Sequence, residues 1–169
     1  MRRVVITGMG IVSPLGDSVA AVLDALGQAR SGIRFHEPYR EMGLRAHIGG
    51  FTRVDVGAHI DKKNLRFMGN AAAYATIAMQ QAIDDAGLGE DEVSDPRTGL
   101  IIGSGGTSAE NVVATADTMR DKGLKRLSPF MVPRTMSSTV SACLTNAFSI
   151  KGLCYAISSA CATGSHCIG

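Results

Sequence analysis

Within the 169-residue chain, one segment reads Tyr155-Ala156-Ile157-Ser158-Ser159-Ala160-Cys161-Ala162-Thr163-Gly164-Ser165-His166. A short apolar run, read as a strand, meets a cluster of small residues carrying one cysteine, and the residues after it favour a helix. A cysteine at such a corner sits exposed at the top of a sheet. The positive end of a helix dipole then faces its sulfur and favours the thiolate, which is the nucleophilic form. Small neighbours admit a substrate carbonyl, and a backbone N–H of the turn can face the oxyanion that develops on it. The G-x-S-x-G elbow of hydrolases works by the same mechanics, here written with cysteine. Cys161 is therefore the candidate nucleophile. The competing reading is a buried thiol without a role, since free cysteine is among the most buried residue types.

The other candidates are weaker. Cys143 and Cys167 lie on helical patterns and read as core, and with Cys154 they form no C-x-x-C pair and no ordered spacing to histidines. No structural metal and no cofactor is expected, and the thiols read as reduced. His166 lies five residues beyond Cys161, a net rotation of about 140° on a helix, so the two side chains diverge and His166 is given no catalytic role. His36, His47 and His59 stand in irregular sequence. Gly8-Met9-Gly10-Ile11-Val12-Ser13 nearly matches G-x-G-x-x-G, but serine holds the third glycine position and Pro14 follows. A structural turn is favoured there over dinucleotide binding. Gly103-Ser104-Gly105-Gly106 lacks the lysine of a phosphate loop, so its glycines read as room for something to approach the backbone.

Two basic clusters remain. Lys62, Lys63 and Arg66 crowd the first turn and a half of an expected helix, where cations oppose the dipole, and Lys122, Lys125 and Arg126 gather around the end of another. Solvated surface is the plain reading of both. Beside a thiol site they would also suit an acidic partner or a phosphate-bearing carrier.

The scaffold around these residues is read from the pattern of the chain. Arg3–Gly8 reads as a buried β-branched strand, and Asp17 to Arg30 as a helix with Val19, Val22, Leu23 and Leu26 on its inner side. Ser31 to Ile60 is long for a plain loop and is expected to hold short strands or a functional excursion. Asp61 can cap a helix running to Ala86, stopped by Gly87. Thr98–Gly103 is a second strand, followed by a helix to Lys122 that starts with a Thr107–Glu110 capping box. A helix from Thr135 to Ile150 leads to the third strand, Leu153–Ser159. Parallel strands joined by helical crossovers are the expected α/β arrangement, and the sheet reads as unfinished.

Composition narrows the class. At 19% charged residues and 45% hydrophobic, the chain has the material for a core, and 169 residues fit one domain. A net charge of +2 argues against nucleic-acid binding. The apolar run after Arg2 and Arg3 is broken by Gly8, Gly10 and Pro14, so no signal peptide is read. No stretch reaches the ~20 apolar residues of a membrane span, and a cytoplasmic protein is expected.

Four segments, in order along the chain, resemble one family. They are Val5-Ile6-Thr7-Gly8-Met9-Gly10-Ile11-Val12-Ser13, Arg66-Phe67-Met68, Gly103-Ser104-Gly105-Gly106, and Ser158-Ser159-Ala160-Cys161-Ala162-Thr163 with His166-Cys167-Ile168-Gly169. Together they are similar to the β-ketoacyl-acyl-carrier-protein synthases, nearest to the type I synthases of bacterial fatty-acid elongation. The resemblance implies the thiolase fold, two similar α/β halves per subunit in a homodimer, of which residues 1–169 look like the N-terminal half. It implies an acyltransferase in which Cys161 takes an acyl group from a carrier-protein thioester. A malonyl carrier thioester is then decarboxylated, and its carbanion attacks the acyl-enzyme. Two histidines and a lysine of the family's second half assist at the malonyl carbonyl, and none has a counterpart in these residues. By the same likeness Gly105 and Met136 would line the acyl pocket, and Lys62, Lys63, Arg66, Lys122 and Lys125 would meet the acidic acyl carrier protein. The alternatives are a non-catalytic half-chain, either truncated or a partner complemented by another polypeptide, and a dinucleotide-binding oxidoreductase.

Overall fold

The computed structural model describes residues 3–169; Arg2, one of the basic pair near the start, lies outside them. The chain divides into two units, Met1–Asp55 with Ile77–Ala86, and Val56–Thr76 with Gly87–Gly169.

In the first unit, α1 (Val19–Gly27) begins at Ser18, whose extended backbone frees its Oγ to accept the Ala21 N–H at 3.2 Å. Its buried residues are Val22 and Ala25, while Leu23 and Leu26, each about 100° further round the helix, face solvent. The inward stripe is thus narrower than the sequence pattern suggests. The stretch after α1 does hold short strands. β1 (Ile33–Phe35) pairs antiparallel with β2 (Ile48–Gly50) across α2 (Glu37–Glu41), setting Arg34 opposite Gly49. His36 stacks on Phe51 with centroids 4.2 Å apart and meets Tyr39 edge-on at 4.6 Å.

The expected strand over Arg3–Gly8 does not form, and Val4, Val5 and Ile6 are 96%, 73% and 83% exposed. A strand is completed by a neighbour that takes up its N–H and C=O groups, and no described segment pairs with this one. The residues immediately after it are held by a helix instead, through residues 77–86. The Met9 N–H donates to Asp85 at 2.9 Å, the Ile11 N–H donates to Gln81 Oε1 at 3.0 Å, and Gln81 Nε2 donates to the Asp17 carbonyl at 2.6 Å. A Cβ on Gly8 would stand 2.1 Å from the Ala82 carbonyl oxygen, and one on Gly10 would stand 1.8 Å from that of Ala78. The glycine turn is filled by helix backbone, which overturns the dinucleotide reading: no space remains for a pyrophosphate.

The second unit starts with α3 (Val56–His59), α4 (Lys62–Leu65) and the first turns of α5 (Asn70–Ala86). The single helix expected from Asp61 to Ala86 is two. Phe67, Met68 and Gly69 interrupt it, and Asp61 makes no side-chain cap. Glycine is a weak helix former, and here the chain passes so close to the Arg134 carbonyl that a Cβ on Gly69 would lie 3.0 Å from it.

α6 (Glu90–Val93), β3 (Leu100–Gly103) and α7 (Ala109–Lys122) come next. α7 is entered at Ser108 rather than through a Thr107 capping box. Glu110 instead accepts from Asn70 Nδ2 at 3.0 Å, and Ser108 Oγ accepts from Asn111 Nδ2 at 2.7 Å. After a 3₁₀ turn (Leu124–Arg126) comes α8 (Met131–Thr135), in a stretch without an expected helix, and past an extended Met136 the helix expected from Thr135 to Ile150 is the shorter α9 (Thr139–Ala147). β4 (Cys154–Ile157), a second 3₁₀ turn (Ala160–Ala162) and α10 (Thr163–Ile168) complete the order.

β3 and β4 run parallel, in register from Leu100 with Cys154 to Gly103 with Ile157, as a helical crossover requires. α9 packs on both strands and α10 on β3, burying Leu100, Val140, Leu144 and Ile150. The opposite face of this two-stranded sheet is open: the cross-strand partners Ile101 and Tyr155 are 51% and 57% exposed. Among the described residues no helix is long and apolar enough to cross a membrane.

Candidate active site

The corner after β4 is sharp because Ala160 takes a positive φ of 49°, a left-handed conformation that non-glycine residues rarely adopt. Such strain persists only where surrounding bonds over-determine it. Thr163 supplies them. Its buried hydroxyl accepts the Ser159 N–H at 2.9 Å and donates to the Ala160 carbonyl at 2.8 Å. A second tie joins Ser159 Oγ to His166 Nδ1 at 2.8 Å. Cys161 is the middle residue of the 3₁₀ turn inside these ties, and it is exposed.

The Gly103–Gly106 segment is what lets the corner exist. A Cβ on Gly103 would lie 1.8 Å from the Ile157 carbonyl oxygen and 2.8 Å from Thr163 Cγ2, and one on Gly105 would lie 2.9 Å from the Ala160 carbonyl oxygen. The room read from these glycines is taken by the backbone that carries Cys161. Gly105 thus backs directly onto the corner, while its neighbours Ser104 and Gly106 line a hollow of ≈ 140 Å³ shared with Asn70, Arg134 and Met136. Arg134 Nε donates to the Met68 carbonyl at 3.4 Å, which ties this wall to the α4–α5 break.

The Nδ1 atom of His166 is engaged with Ser159 Oγ. Cys143 lines a larger hollow of ≈ 250 Å³ with Phe67, Met68 and Pro133, and burial pushes its thiol above the ordinary range. Cys154 lies in β4 and Cys167 in α10, both half-buried.

The basic residues need a different physical account from the one the sequence suggests. α4 has a single turn, so Lys62 and Lys63 belong to its first and last turn at once and oppose little dipole. Lys63 reaches Asp61 at 3.6 Å. Arg66 is not a misplaced charge: its guanidinium carbon lies 4.9 Å from the ring centroids of both Phe67 and Phe130, which meet edge-on at 4.8 Å. Lys122 closes α7, where a cation suits the dipole, and Lys125 lies in the following 3₁₀ turn.

Sequence reasoning missed Thr163 and Ser159 as the residues that hold the corner. The signal was a hydroxyl two residues on either side of the cysteine, a spacing suited to side-chain ties across a turn.

Comparison with known proteins bears on the whole chain. Residues 1–169 match the family model described as β-ketoacyl synthase, N-terminal domain. The chain is 49% identical over 170 residues to the 3-oxoacyl-[acyl-carrier-protein] synthase 1 of Haemophilus influenzae, covering all of this chain and 42% of that protein. The crystal structure of a β-ketoacyl synthase from Burkholderia phymatum superposes with a TM-score of 0.84 at 29% identity, over all of this chain and 42% of that one. A type II polyketide ketosynthase, solved with its acyl-carrier protein and bound to the hexaketide, shares the fold at 17% identity and a TM-score of 0.76, over all of this chain and 45% of that one. The chain thus spans less than half the length of each protein it is compared with.

Proposed function

The chain belongs to the β-ketoacyl synthase family, and we propose that it supplies the acyl-accepting cysteine of a 3-oxoacyl-[acyl-carrier-protein] synthase of fatty-acid biosynthesis. The observation that carries this reading is the exposure of Cys161 on a corner held by Thr163 and Ser159 and backed by glycine. Cys161 Sγ, as thiolate, attacks the carbonyl carbon of an acyl thioester. A C–S bond forms, the carrier thiolate leaves, and an acyl-cysteine remains. The Ala162 N–H is taken by the Ser159 carbonyl at 3.1 Å, so the donor this turn offers the tetrahedral oxyanion is the amide of Cys161 itself. A malonyl thioester then loses carbon dioxide, its carbanion forms the new C–C bond at the acyl carbon, and Cys161 departs as thiolate.

Met136, beside the hollow at Ser104 and Gly106, and Gly105 against the corner are the residues we assign to the acyl pocket. Lys62, Lys63, Arg66, Lys122 and Lys125 are the residues we assign to contact with the acyl carrier protein. The fold relative was solved with its own acyl-carrier protein, which supports a carrier protein as the kind of partner. A cytoplasmic homodimer is the expected setting.

The test is acyl transfer. Incubation with an acyl-[acyl-carrier-protein] followed by peptide mass mapping should place the acyl group on Cys161 and leave Cys161→Ser unlabelled. Adducts on Cys143 or Cys154, with Cys161 unmodified in folded protein, would overturn the assignment.

A further inference from the structure

In the first unit, a cavity of ≈ 120 Å³ is walled by Ser13, Gly16, Asp17, Arg34, Thr52 and Arg53, among others. Arg34 enters it from β1, where its backbone pairs with Gly49. Arg34 Nη1 is buried and has no hydrogen-bond partner among the described residues. Among the described residues, the ion pairs include neither Arg34 nor Arg53. An unpartnered buried guanidinium N–H is a costly arrangement, since desolvation is not offset by any acceptor. Arg53, exposed on the same wall, adds a second, solvent-screened positive charge. Asp17 contributes one carboxylate to the wall, but it is exposed and forms no ion pair with either arginine.

We propose that the cavity between Arg34 and Arg53 is a binding site for a small oxyanion of the phosphate or carboxylate type. Guanidinium offers a planar fork of N–H donors that matches two oxygens of such a group at once, and Nη1 of Arg34 is a donor without an acceptor. Ser13 Oγ is already engaged, donating to the Gly16 carbonyl and accepting the Leu15 N–H, both at 3.2 Å. That bonding keeps the Ser13–Gly16 turn in one shape and leaves the Thr52 hydroxyl as the neutral donor on the wall. α1 begins two residues after Asp17, so the positive end of its dipole adds to the same potential. The volume admits an inorganic phosphate or the carboxylate end of a small acid.

The experiment is calorimetric titration of the protein at constant ionic strength with sodium phosphate and, separately, with sodium acetate. Saturable binding of at least one anion is expected; tighter phosphate binding identifies the tetrahedral ligand, and tighter acetate binding the carboxylate. Arg34→Gln should weaken binding by about tenfold or more, because it removes the charged bidentate donor. Arg34→Lys, which keeps the charge and guards against a folding defect, should weaken it nearly as much, and Lys151→Gln, at an exposed lysine off the cavity wall, should leave it unchanged. No saturable binding, or wild-type affinity in both Arg34 variants, would overturn the proposal. So would a high-resolution crystal structure from phosphate-containing solution that shows an ordered water alone on Arg34 Nη1.

Discussion

Two segments begin alike in the sequence and end differently in the structure. Val4-Val5-Ile6 runs into Gly8 and Gly10, and Cys154-Tyr155-Ala156-Ile157 runs into Ser158, Ser159 and Ala160. Both are short apolar runs ending at a small-residue turn. The second becomes β4, because β3 lies in parallel register beside it and α9 covers the pair. The first pairs with no described strand, and its side chains stay in solvent. β-propensity therefore states a capacity that only a neighbouring ladder realises. The same difference governs what each turn can hold. The corner after β4 is fixed on both sides and tolerates a strained Ala160, whereas the turn at Gly8 and Gly10 is fixed on one side, by α5.

The largest test of that contrast is a single methyl group at each turn. Gly103→Ala should cost about 3 kcal/mol, at the top of the range for overpacking, because its Cβ meets the Ile157 carbonyl in a paired strand that cannot step aside. Gly10→Ala creates an equally close contact, but its segment is free on the other side and should relieve the clash for about 1 kcal/mol, the low end of that range. Thermal unfolding of both variants ranks them, and a larger loss at Gly10 would break the comparison.

Next in size is Thr163→Val, which keeps shape and removes the hydroxyl. It leaves the Ser159 N–H and the Ala160 carbonyl without their side-chain partner and should cost about 1–3 kcal/mol. Alkylation of Cys161 should also lose its selectivity over Cys154 and Cys167. Retained selectivity with unchanged stability would show that the corner holds itself.

A smaller effect separates the basic residues. Arg66→Glu should destabilise by about 1 kcal/mol through loss of its place over Phe67 and Phe130. Lys62→Glu and Lys63→Glu, on an exposed single turn, should stay within about 0.5 kcal/mol. All three should weaken binding to acyl carrier protein, and added salt should shrink the difference. Equal stability in all three variants would return Arg66 to plain solvated surface.

The smallest effect is one of pH. Burial holds the Cys143 thiol above its ordinary range, so the folded state keeps this proton longer than the unfolded chain does. The associated stability is complete below the ordinary thiol range and is lost as pH rises through the raised folded value. Cys143→Ala should flatten the alkaline decline in a pH series of unfolding midpoints. An unchanged slope would assign that decline to other groups.

The sequence made some parts legible for physical reasons that stayed local. β-branched and apolar runs with glycine or helical patterns between them implied β3, β4 and a crossover, and a cysteine among small residues implied the corner. What stayed hidden depends on contacts between distant residues. The break at Gly69 is set by Arg134, 65 positions away by the chain numbering. Arg66 looked like an electrostatic error because Phe130, its aromatic partner, is remote in sequence. The fate of residues 3–8 was decided by the lack of a paired strand, which no local pattern records.

The open face of the β3–β4 sheet has a practical optical consequence. The chain has no tryptophan and three tyrosines. Tyr39 and Tyr74 are half-buried, while Tyr155 stands in water beside Ile101. Near-ultraviolet absorbance and emission therefore come chiefly from three tyrosine rings, and Tyr155 is the one whose solvation changes when this face is covered. Any polypeptide that comes to cover the sheet would shift this intrinsic signal, so the face can be followed without attaching a dye.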